Sequence, residues 1–212
     1  MFDFRYDTAV IAQPELPTSL TIPRTKVMFD RIVALLLLGP LIICAAVLAV
    51  LNPFVNAGSL IFTQKRMGQN CKPFTMIKFR TMHTARQARG AFDRLESERV
   101  TPLGQFLRRS RIDELPQIIN VLRGEMSLIG PRPDCYDHAL VYLRDVPGYA
   151  ARQGALPGIS GYAQTELGYI DDMDAMRRRV AADLYYIAHA SFGFDLRIAW
   201  RTLGVVMGRR GA

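Results

Sequence analysis

The sequence predicts an α+β protein that is mostly helical, contains one small β-hairpin and sits in a membrane as a monotopic protein. Three observations support this. Residues 33–51 form an apolar run without a charge, two strand-like runs flank a turn at 68–70, and apolar residues recur at helical spacing later in the chain. The 212 residues are enough for one domain of ordinary size with a real core.

The apolar run 33–51 has the length of a bilayer-spanning helix. Pro40 lies in its first half and should break or kink the helix. Basic residues flank both ends, namely Arg24, Lys26 and Arg31 before the run, and Lys65 and Arg66 after it. Because positive flanks prefer the cytoplasmic side, we expect a re-entrant helix that enters and leaves by the same face. A kinked span is the alternative, and a buried helix of a soluble protein is the least favoured interpretation.

This segment divides the chain into three parts. Residues 1–25 carry three prolines and no apolar period, so we expect them to be extended or disordered. Residues 26–56 form the re-entrant membrane helix, and residues 57–212 form the domain on the cytoplasmic face. The apolar run begins too late for a signal peptide, and no small-residue cleavage site follows it.

The predicted hairpin pairs residues 59–66 with residues 74–80 around the turn. Alternation places polar side chains on one face of each strand, namely Gln64, Arg66, Lys78 and Arg80. Paired strands would present the three cations among them to a common ligand. A solvated strand face is the alternative.

Two adjacent carboxylates, Asp113 and Glu114, stand in the most basic part of the chain, just after Arg108, Arg109 and Arg111. Pro116 is best tolerated in the first turn of a helix, so we expect a helix from Asp113 or Glu114 that ends at Gly124. Its apolar face would be Leu115, Ile118, Ile119 and Leu122. Free amides at a helix N-terminus attract anions. The arrangement suits a phosphate-handling site that holds a divalent cation, and helix capping with surface ion pairs is the alternative.

Residues 84–100 are polar and predict a surface helix, and Thr101-Pro102 opens a short amphipathic helix. Two prolines flank Arg132 and fix its backbone, and Pro157 to Gly161 predicts a tight turn.

Two helices are predicted at the end of the chain. One covers 172–190, with Asp171 or Asp172 as its cap. The other covers 192–210 and mixes apolar residues with arginines, which suits an amphipathic helix at a membrane surface, although packing onto the domain core is nearly as good an interpretation.

The charge composition limits the partners. The formal net charge is +8, and 23 of the 27 basic residues are arginines, which are the better residues for two-pronged binding of phosphate. Nucleic acid, anionic lipid and a small phosphorylated substrate all fit such a chain. The sequence lacks a nucleic-acid-binding motif, so we expect no nucleic acid. Three scattered cysteines give neither a disulfide framework nor a zinc site.

Several short motifs occur in a fixed order: Gln64-Lys65-Arg66-Met67-Gly68, Lys78-Phe79-Arg80-Thr81-Met82, Asp113-Glu114-Leu115-Pro116-Gln117, Gly130-Pro131-Arg132-Pro133, Pro157-Gly158-Ile159-Ser160-Gly161 and Asp183-Leu184-Tyr185-Tyr186-Ile187. Together they resemble the bacterial sugar transferases of the monotopic phosphoglycosyl transferase superfamily. The resemblance runs from about Val27 to Val206.

The resemblance implies an activity. Such enzymes move a sugar 1-phosphate from a UDP-sugar to polyprenyl (undecaprenyl) phosphate and release UMP. They do so by a ping-pong mechanism, as the first membrane step of exopolysaccharide or other glycoconjugate synthesis. The implied location is the cytoplasmic face of the bacterial inner membrane, in contact with membrane lipid, and a homodimer is compatible with the sequence. The chain lacks the N-terminal spans of larger members and is expected to be a minimal catalytic form.

The resemblance also assigns residues. It implies an Asp113 nucleophile, a Glu114 that binds Mg²⁺, and a helix break at Pro40. A carboxylate attacking a pyrophosphate needs cations around it. The candidates are Arg66, Lys78, Arg80, Arg108 and Arg132. The site loops would contribute Gln64, Pro131, Pro133 and Gln164. Thr165 to Tyr169 replaces a Gly-Arg pair that many relatives carry, so the sugar contacts of that region do not transfer.

Two other classes of function stay open. One is a membrane-associated glycosyltransferase that leaves the diphosphate on the nucleotide and releases UDP. The other is a non-catalytic scaffold that binds anionic lipid through its basic face. Release of UMP, release of UDP and absence of turnover distinguish the three.

Overall fold

The computed structural model describes residues 23–83, 97–167 and 173–207. The helices are α1 (Arg24–Leu36), α2 (Leu38–Val55), α3 (Pro102–Arg109), α4 (Ile118–Leu122), α5 (Tyr136–Asp145), α6 (Tyr149–Arg152), α7 (Tyr162–Glu166), α8 (Met173–His189) and α9 (Phe192–Met207). The strands are β1 (Ile61–Met67), β2 (Pro73–Phe79), β3 (Ser127–Ile129) and β4 (Gly158–Ser160). Short 3₁₀ segments cover Gln69–Cys71, Ser97–Arg99 and Ile112–Gln117.

The apolar N-terminal region is helical on both sides of an interruption at Leu37. Proline at position 40 has no amide hydrogen for the carbonyl of Leu36, which explains why the interruption lies one turn before it. Taken together, Arg24–Val55 is long and apolar enough to cross a membrane by length and composition. One stripe of this region is buried, at Asp30, Ala34, Leu41, Leu48 and Asn52. Most of its other large apolar side chains are exposed.

Polar contacts attach α1 to the rest of the protein. The Ser127 hydroxyl donates to Asp30 Oδ2 over 2.6 Å, and Lys26 Nζ lies 2.5 Å from Asp195 Oδ2 in α9. The Tyr186 hydroxyl donates to the other Asp195 oxygen over 2.7 Å. The apolar helix is therefore tied to the first turn of the last helix and to the core.

The predicted hairpin is confirmed. β1 and β2 pair antiparallel, with Phe62 opposite Lys78 and Arg66 opposite Phe74, so Arg66 and Lys78 lie on one face. The strands begin and end within two residues of the predicted bounds. Asn70 and Cys71 adopt positive φ in the connection, which places them in the left-handed region.

The helix predicted from Asp113 or Glu114 is present, but it begins as a 3₁₀ segment, Ile112–Gln117, and becomes α-helical only at Ile118. The amide of Glu114 donates to the carbonyl of Arg111, so it is not a free donor for an anion. Instead of a tight turn at 157–161, Gly158–Ser160 is a strand that pairs in parallel with β3. A Cβ at Gly130 or Gly158 would collide with the facing backbone, so glycine permits this pairing.

The helices predicted after Thr101 and at the end of the chain are confirmed. α3 begins after Thr101, whose hydroxyl accepts from the amide of Gly104 over 3.0 Å, and Gly124 ends α4 with φ +76°. α8 and α9 lie where helices were expected. Residues 1–22, most of 84–100, and Asp171 and Asp172 lie outside the described residues.

Two hydrophobic clusters support the fold. One, around β3, α5, α6, α8 and α9, contains Tyr142, Tyr149, Met176, Leu184 and Ile198 among its buried members. The other joins the apolar helices to the hairpin and α4, through Ala34, Leu41, Phe79, Leu107 and Ile118. The Asp113–Glu114 segment packs against β2 beside the second cluster, while the loop that carries Arg132 follows β3.

Candidate active site

Of the two adjacent carboxylates, Glu114 accepts more hydrogen bonds from cations. Its Oε1 accepts from Lys78 Nζ and from an Arg132 guanidinium nitrogen, each over 2.8 Å, and its Oε2 accepts from Arg111 over 3.2 Å. Burial raises the pKa of this carboxyl, but the three cations outweigh burial and hold the pKa well below its usual value. Glu114 is therefore a fixed negative charge that holds cations from three segments in one place.

Asp113, next to it, has a different environment. Asp113 is only 7% exposed. No described residue donates a hydrogen bond to its carboxylate. Burial raises the pKa of Asp113 to about 6, against the lowering effect of Lys78, Arg132 and Arg108, and Glu114 adds to the rise. An ionised carboxylate that accepts no hydrogen bond is a better nucleophile than one whose oxygens are fully hydrogen-bonded.

The Arg132 side chain reaches Glu114 from the loop after β3. Two prolines remove the amides on either side of it, so this loop is fixed through its carbonyls. The carbonyl of Arg132 accepts from Arg152 over 2.8 Å and from Arg179 over 2.9 Å. Backbone and side chain are thus held from opposite directions.

A buried cluster of two arginines and two aspartates, Arg152, Arg179, Asp134 and Asp183, lies behind that loop; we call it the closed cluster. Arg152 donates to Asp134 over 2.7 Å and to Asp183 over 2.8 Å, and Arg179 donates to Asp134 over 2.9 Å. Burial raises the pKa of Asp134, but the two arginines outweigh it and hold the pKa far below its usual value. The charges balance within the cluster.

Two further cations lie near the acidic pair. Arg108 Nε donates to the Thr81 hydroxyl over 3.0 Å, and its charge acts on Asp113. It can come this close because α3 packs against the Thr81 carbonyl at Gly104, where a Cβ would collide. Arg66 donates to the Pro133 carbonyl over 3.1 Å, and burial together with the nearby Arg132 charge lowers the pKa of Arg66 to about 10.

The structure does not bring Arg80 into this group. Its guanidinium donates to the carbonyl of Asn56 and lies against Gly58, at the end of α2. Strand alternation placed it beside Lys78, and its amide still donates to the Leu60 carbonyl, but its side chain binds the end of α2 instead of the acidic pair. Arg80 fastens the exit of the apolar helix to the hairpin.

The other predicted loop residues are mostly structural neighbours of the site. Gln64 donates to Cys135 Sγ over 3.4 Å, and the carbonyls of Pro131 and Pro133 accept from the Gly158 amide and from Arg66. Gln164 lies in α7 with a buried Oε1 that has no hydrogen-bond partner among the described residues. It makes no described hydrogen bond to Asp113 or Glu114.

Around two carboxylates the structure thus gathers four cations, namely Lys78, Arg108, Arg111 and Arg132, with Arg66 beside Arg132. Such an excess of buried or half-buried positive charge is costly without an anion. A pyrophosphate supplies the missing negative charge and matches the two-pronged geometry of arginine.

The acidic pair also offers the donors that Mg²⁺ prefers, since this ion binds one or two carboxylates together with phosphate oxygens and water. No group of three or more His, Cys, Asp or Glu residues gathers within the described ranges. The residues fit an ion whose other ligands are substrate and water. Both Glu114 oxygens contact cations, so an ion can bind there only when phosphate takes over some of those cations.

Sequence reasoning missed the closed cluster and Arg111. Arg111 reaches Glu114 because its backbone is left-handed, with φ +55°. The sequence contains no signal that predicts this conformation for an arginine. Arg152, Arg179 and Asp183 come from α6 and α8, far from Asp134 along the chain. Only the occurrence of Asp183 in a family motif hinted at a role.

Comparison with known proteins identifies the family. The model of the bacterial sugar transferase family matches residues 22–209. This chain belongs to that family. The match includes the acidic pair, its cations and the apolar helices.

Curated relatives from three organisms illustrate the family. The chain is 38% identical over 197 residues to UDP-N-acetylgalactosamine-undecaprenyl-phosphate N-acetylgalactosaminephosphotransferase of Aeromonas hydrophila, covering 92% of this chain and 46% of the relative. It is 40% identical over 190 residues to UDP-glucose:undecaprenyl-phosphate glucose-1-phosphate transferase of Caulobacter vibrioides, covering 84% and 68%. It is 36% identical over 191 residues to the exopolysaccharide production protein PSS of Rhizobium leguminosarum bv. phaseoli, covering 87% and 94%. The chain thus spans about half the length of the first relative and nearly all of the last.

Proposed function

We propose that this protein transfers a sugar 1-phosphate from a UDP-sugar to polyprenyl phosphate, releases UMP, and passes through a covalent intermediate on Asp113. The observation that carries the proposal is the contrast within the acidic pair. Glu114 holds three cations, whereas Asp113 accepts no hydrogen bond from the described residues and is surrounded by the same positive charge. The names of the Aeromonas and Caulobacter relatives support the substrate class.

In the first step an Asp113 oxygen attacks the phosphorus that carries the sugar. The bond from that phosphorus to the bridging oxygen breaks, and UMP leaves with the electron pair. The product is an acyl phosphate between Asp113 and the sugar phosphate. In the second step a phosphate oxygen of the polyprenyl acceptor attacks the same phosphorus, and the Asp113 carboxylate leaves. The result is a polyprenyl diphosphate sugar.

The cations carry most of the catalytic effect. Lys78 and Arg132 are held at 2.8 Å from one Glu114 oxygen, so they already lie together where charge would develop on the phosphoryl group. Arg108 and Arg66 extend the positive surface on either side. Arg80 has no such placement and is assigned to fastening the membrane helix.

Glu114 is the residue that would hold Mg²⁺. When bound, the ion would neutralise phosphate oxygens and favour departure of UMP. Glu114 also keeps Lys78, Arg111 and Arg132 together in the absence of substrate, which prevents these cations from moving onto Asp113 and blocking it.

A membrane segment would bring a lipid acceptor to the site. We propose that α1 and α2 form a re-entrant unit in the inner membrane, with the folded domain on its cytoplasmic face. Exposed apolar side chains cover much of this unit, including Leu36, Ile42, Val50 and Phe54, and α9 exposes Trp200 and Leu203. Both surfaces would contact membrane lipid.

Cysteine labelling tests this topology. In a variant whose native cysteines are replaced by serine, single cysteines at exposed Arg24 and Lys65 should both react only with reagent applied from the cytoplasmic side. Labelling of one of them from the periplasm would mean a full span. Pro40→Leu should straighten the helix, move one label to the periplasm and lower activity.

Nucleotide release tests the reaction. The purified protein should release UMP from at least one member of a panel of UDP-sugars in the presence of undecaprenyl phosphate and Mg²⁺. UDP as the product would make it a glycosyltransferase. Lipid binding without turnover across the panel would make it a scaffold.

A further inference from the structure

The loop that carries Arg132 is unusual in how it is held. Four successive carbonyls, those of Pro131, Arg132, Pro133 and Asp134, all accept hydrogen bonds from outside the loop. The donors are, in order, the Gly158 amide in β4, the closed-cluster arginines in α6 and α8, and the Arg66 side chain and the Met67 amide in β1. Because two of these residues are prolines, the loop offers only two amides of its own. Its position is therefore set from outside.

Among these four carbonyls, that of Arg132 alone is held by two charged side chains. Arg152 and Arg179 each use one guanidinium nitrogen on this carbonyl and another on Asp134, at distances between 2.7 and 2.9 Å. Asp134 in turn accepts from the Tyr149 hydroxyl over 2.9 Å. The planar fork of arginine permits this double contact, and a lysine of equal charge cannot reproduce it.

We propose that Arg152 and Arg179 are positioning residues for the transfer reaction, because they fix the Arg132 backbone so that its guanidinium faces the substrate phosphate. The inference rests on the proposed function in so far as Arg132 binds that phosphate. Neither arginine touches Asp113 or Glu114 in the described contacts, so both act through Arg132. A small displacement of a catalytic cation lowers the rate steeply, since transition-state stabilisation depends on preorganised geometry.

A double-mutant cycle separates positioning from general stability. Arg179→Lys keeps the charge, loses the fork and should lower kcat/KM for UMP release about 10- to 100-fold. In an Arg132→Ala background the same change should cost less than about 2-fold, because the group being positioned is gone. Costs that multiply in both backgrounds would overturn the proposal.

A matched control excludes simple destabilisation. Tyr186→Phe removes buried hydrogen bonds to Asp195 and to the Ile129 carbonyl, about two turns further along α8, and leaves the Arg132 carbonyl untouched. It should lower the denaturation midpoint and leave kcat/KM within about 2-fold. If Arg179→Lys does not fold, Tyr149→Phe takes its place in the cycle, with a smaller loss and the same lack of additivity.

Hydrogen exchange makes the outcome independent of turnover. In Arg179→Lys, the amides of Met67 and Gly158, which donate to the carbonyls of this loop, should exchange at least about 10-fold faster than in Tyr186→Phe. Equal exchange would overturn the positioning role. If the wild type releases no UMP, the proposed reaction fails, and the exchange measurement alone decides whether the two arginines fix the loop.

Discussion

Two groups of charged side chains lie on either side of the Arg132 loop, and they differ in balance. The closed cluster has two arginines and two aspartates, and Arg152 and Asp183 are each 1% exposed. The group around Asp113 and Glu114 has two carboxylates and at least four cations, with the Arg132 side chain 34% exposed. A balanced buried cluster stabilises a backbone, whereas an unbalanced and partly open group of cations attracts an anion. Charge balance therefore distinguishes the group that holds the Arg132 backbone from the group that would meet the substrate.

The largest expected effect comes from Asp113→Asn. An amide is a poor nucleophile, so turnover should fall by at least about 10⁴-fold. The folded pKa of about 6 lies above the unfolded value near 3.8, so ionised Asp113 destabilises the fold above pH 6. Removing the charge should raise the free energy of unfolding at pH 7 by about 1–3 kcal/mol, and this gain should vanish near pH 4. UMP release and denaturant unfolding measure the two effects.

Glu114→Gln is the matched comparison, since it makes the same chemical change one residue away. Here Lys78, Arg111 and Arg132 lose their shared carboxylate, so stability should fall by about 2 kcal/mol. Activity and its response to Mg²⁺ should also fall. A gain of stability in Glu114→Gln, or a loss in Asp113→Asn, would contradict the different environments that the structure gives to the pair.

Breaking the closed cluster should cost stability as well as activity. Arg152→Met leaves Asp134 and Asp183 buried with one arginine between them, so we expect a loss of about 3–5 kcal/mol. The control is Arg144→Met, which removes an exposed arginine paired with Asp145 and should leave the denaturation midpoint unchanged. If both variants unfold at the wild-type midpoint, the closed cluster is not a stabilising unit.

Breaking the group of cations around Asp113 and Glu114 should mainly cost activity. Arg132→Lys keeps the charge beside Glu114 but loses the planar fork, and turnover should fall by about 10²- to 10³-fold with stability changed by less than about 1 kcal/mol. Arg123→Lys, an exposed position in the same basic chain, serves as the control and should remain fully active. Near-normal turnover of Arg132→Lys would make this loop merely structural.

The smallest effect concerns pH. Since Asp113 must lose its proton before it attacks, kcat/KM for UMP release should fall about tenfold per pH unit below about pH 6. The Arg108 charge lowers the pKa of Asp113, so Arg108→Gln should move this limb to higher pH. Arg109→Gln, its exposed neighbour in α3, should leave the limb in place. Coincident profiles for both variants would remove Arg108 from the site.

Local patterns in the sequence predicted the apolar helix, the hairpin, α3, α8 and α9, and motif order pointed to Asp113, Glu114, Lys78 and Arg132. What the sequence did not reveal depends on long-range geometry. Arg152 and Arg179 reach Asp134 only after α6 and α8 pack, and Arg111 reaches Glu114 through a left-handed backbone. Strand alternation did not reveal the partner of Arg80, because its side chain binds Asn56 at the end of α2.

The central claim is that Asp113 carries the sugar phosphate between donor and acceptor. Mass spectrometry of enzyme quenched after mixing with a UDP-sugar and Mg²⁺, without a lipid acceptor, tests it most directly. We expect one sugar-phosphate adduct on the peptide that contains Asp113, UMP in equal amount, and no adduct in Asp113→Asn. With trapping shown to work, an adduct on any other residue, or UMP that appears only when polyprenyl phosphate is present, would contradict the account.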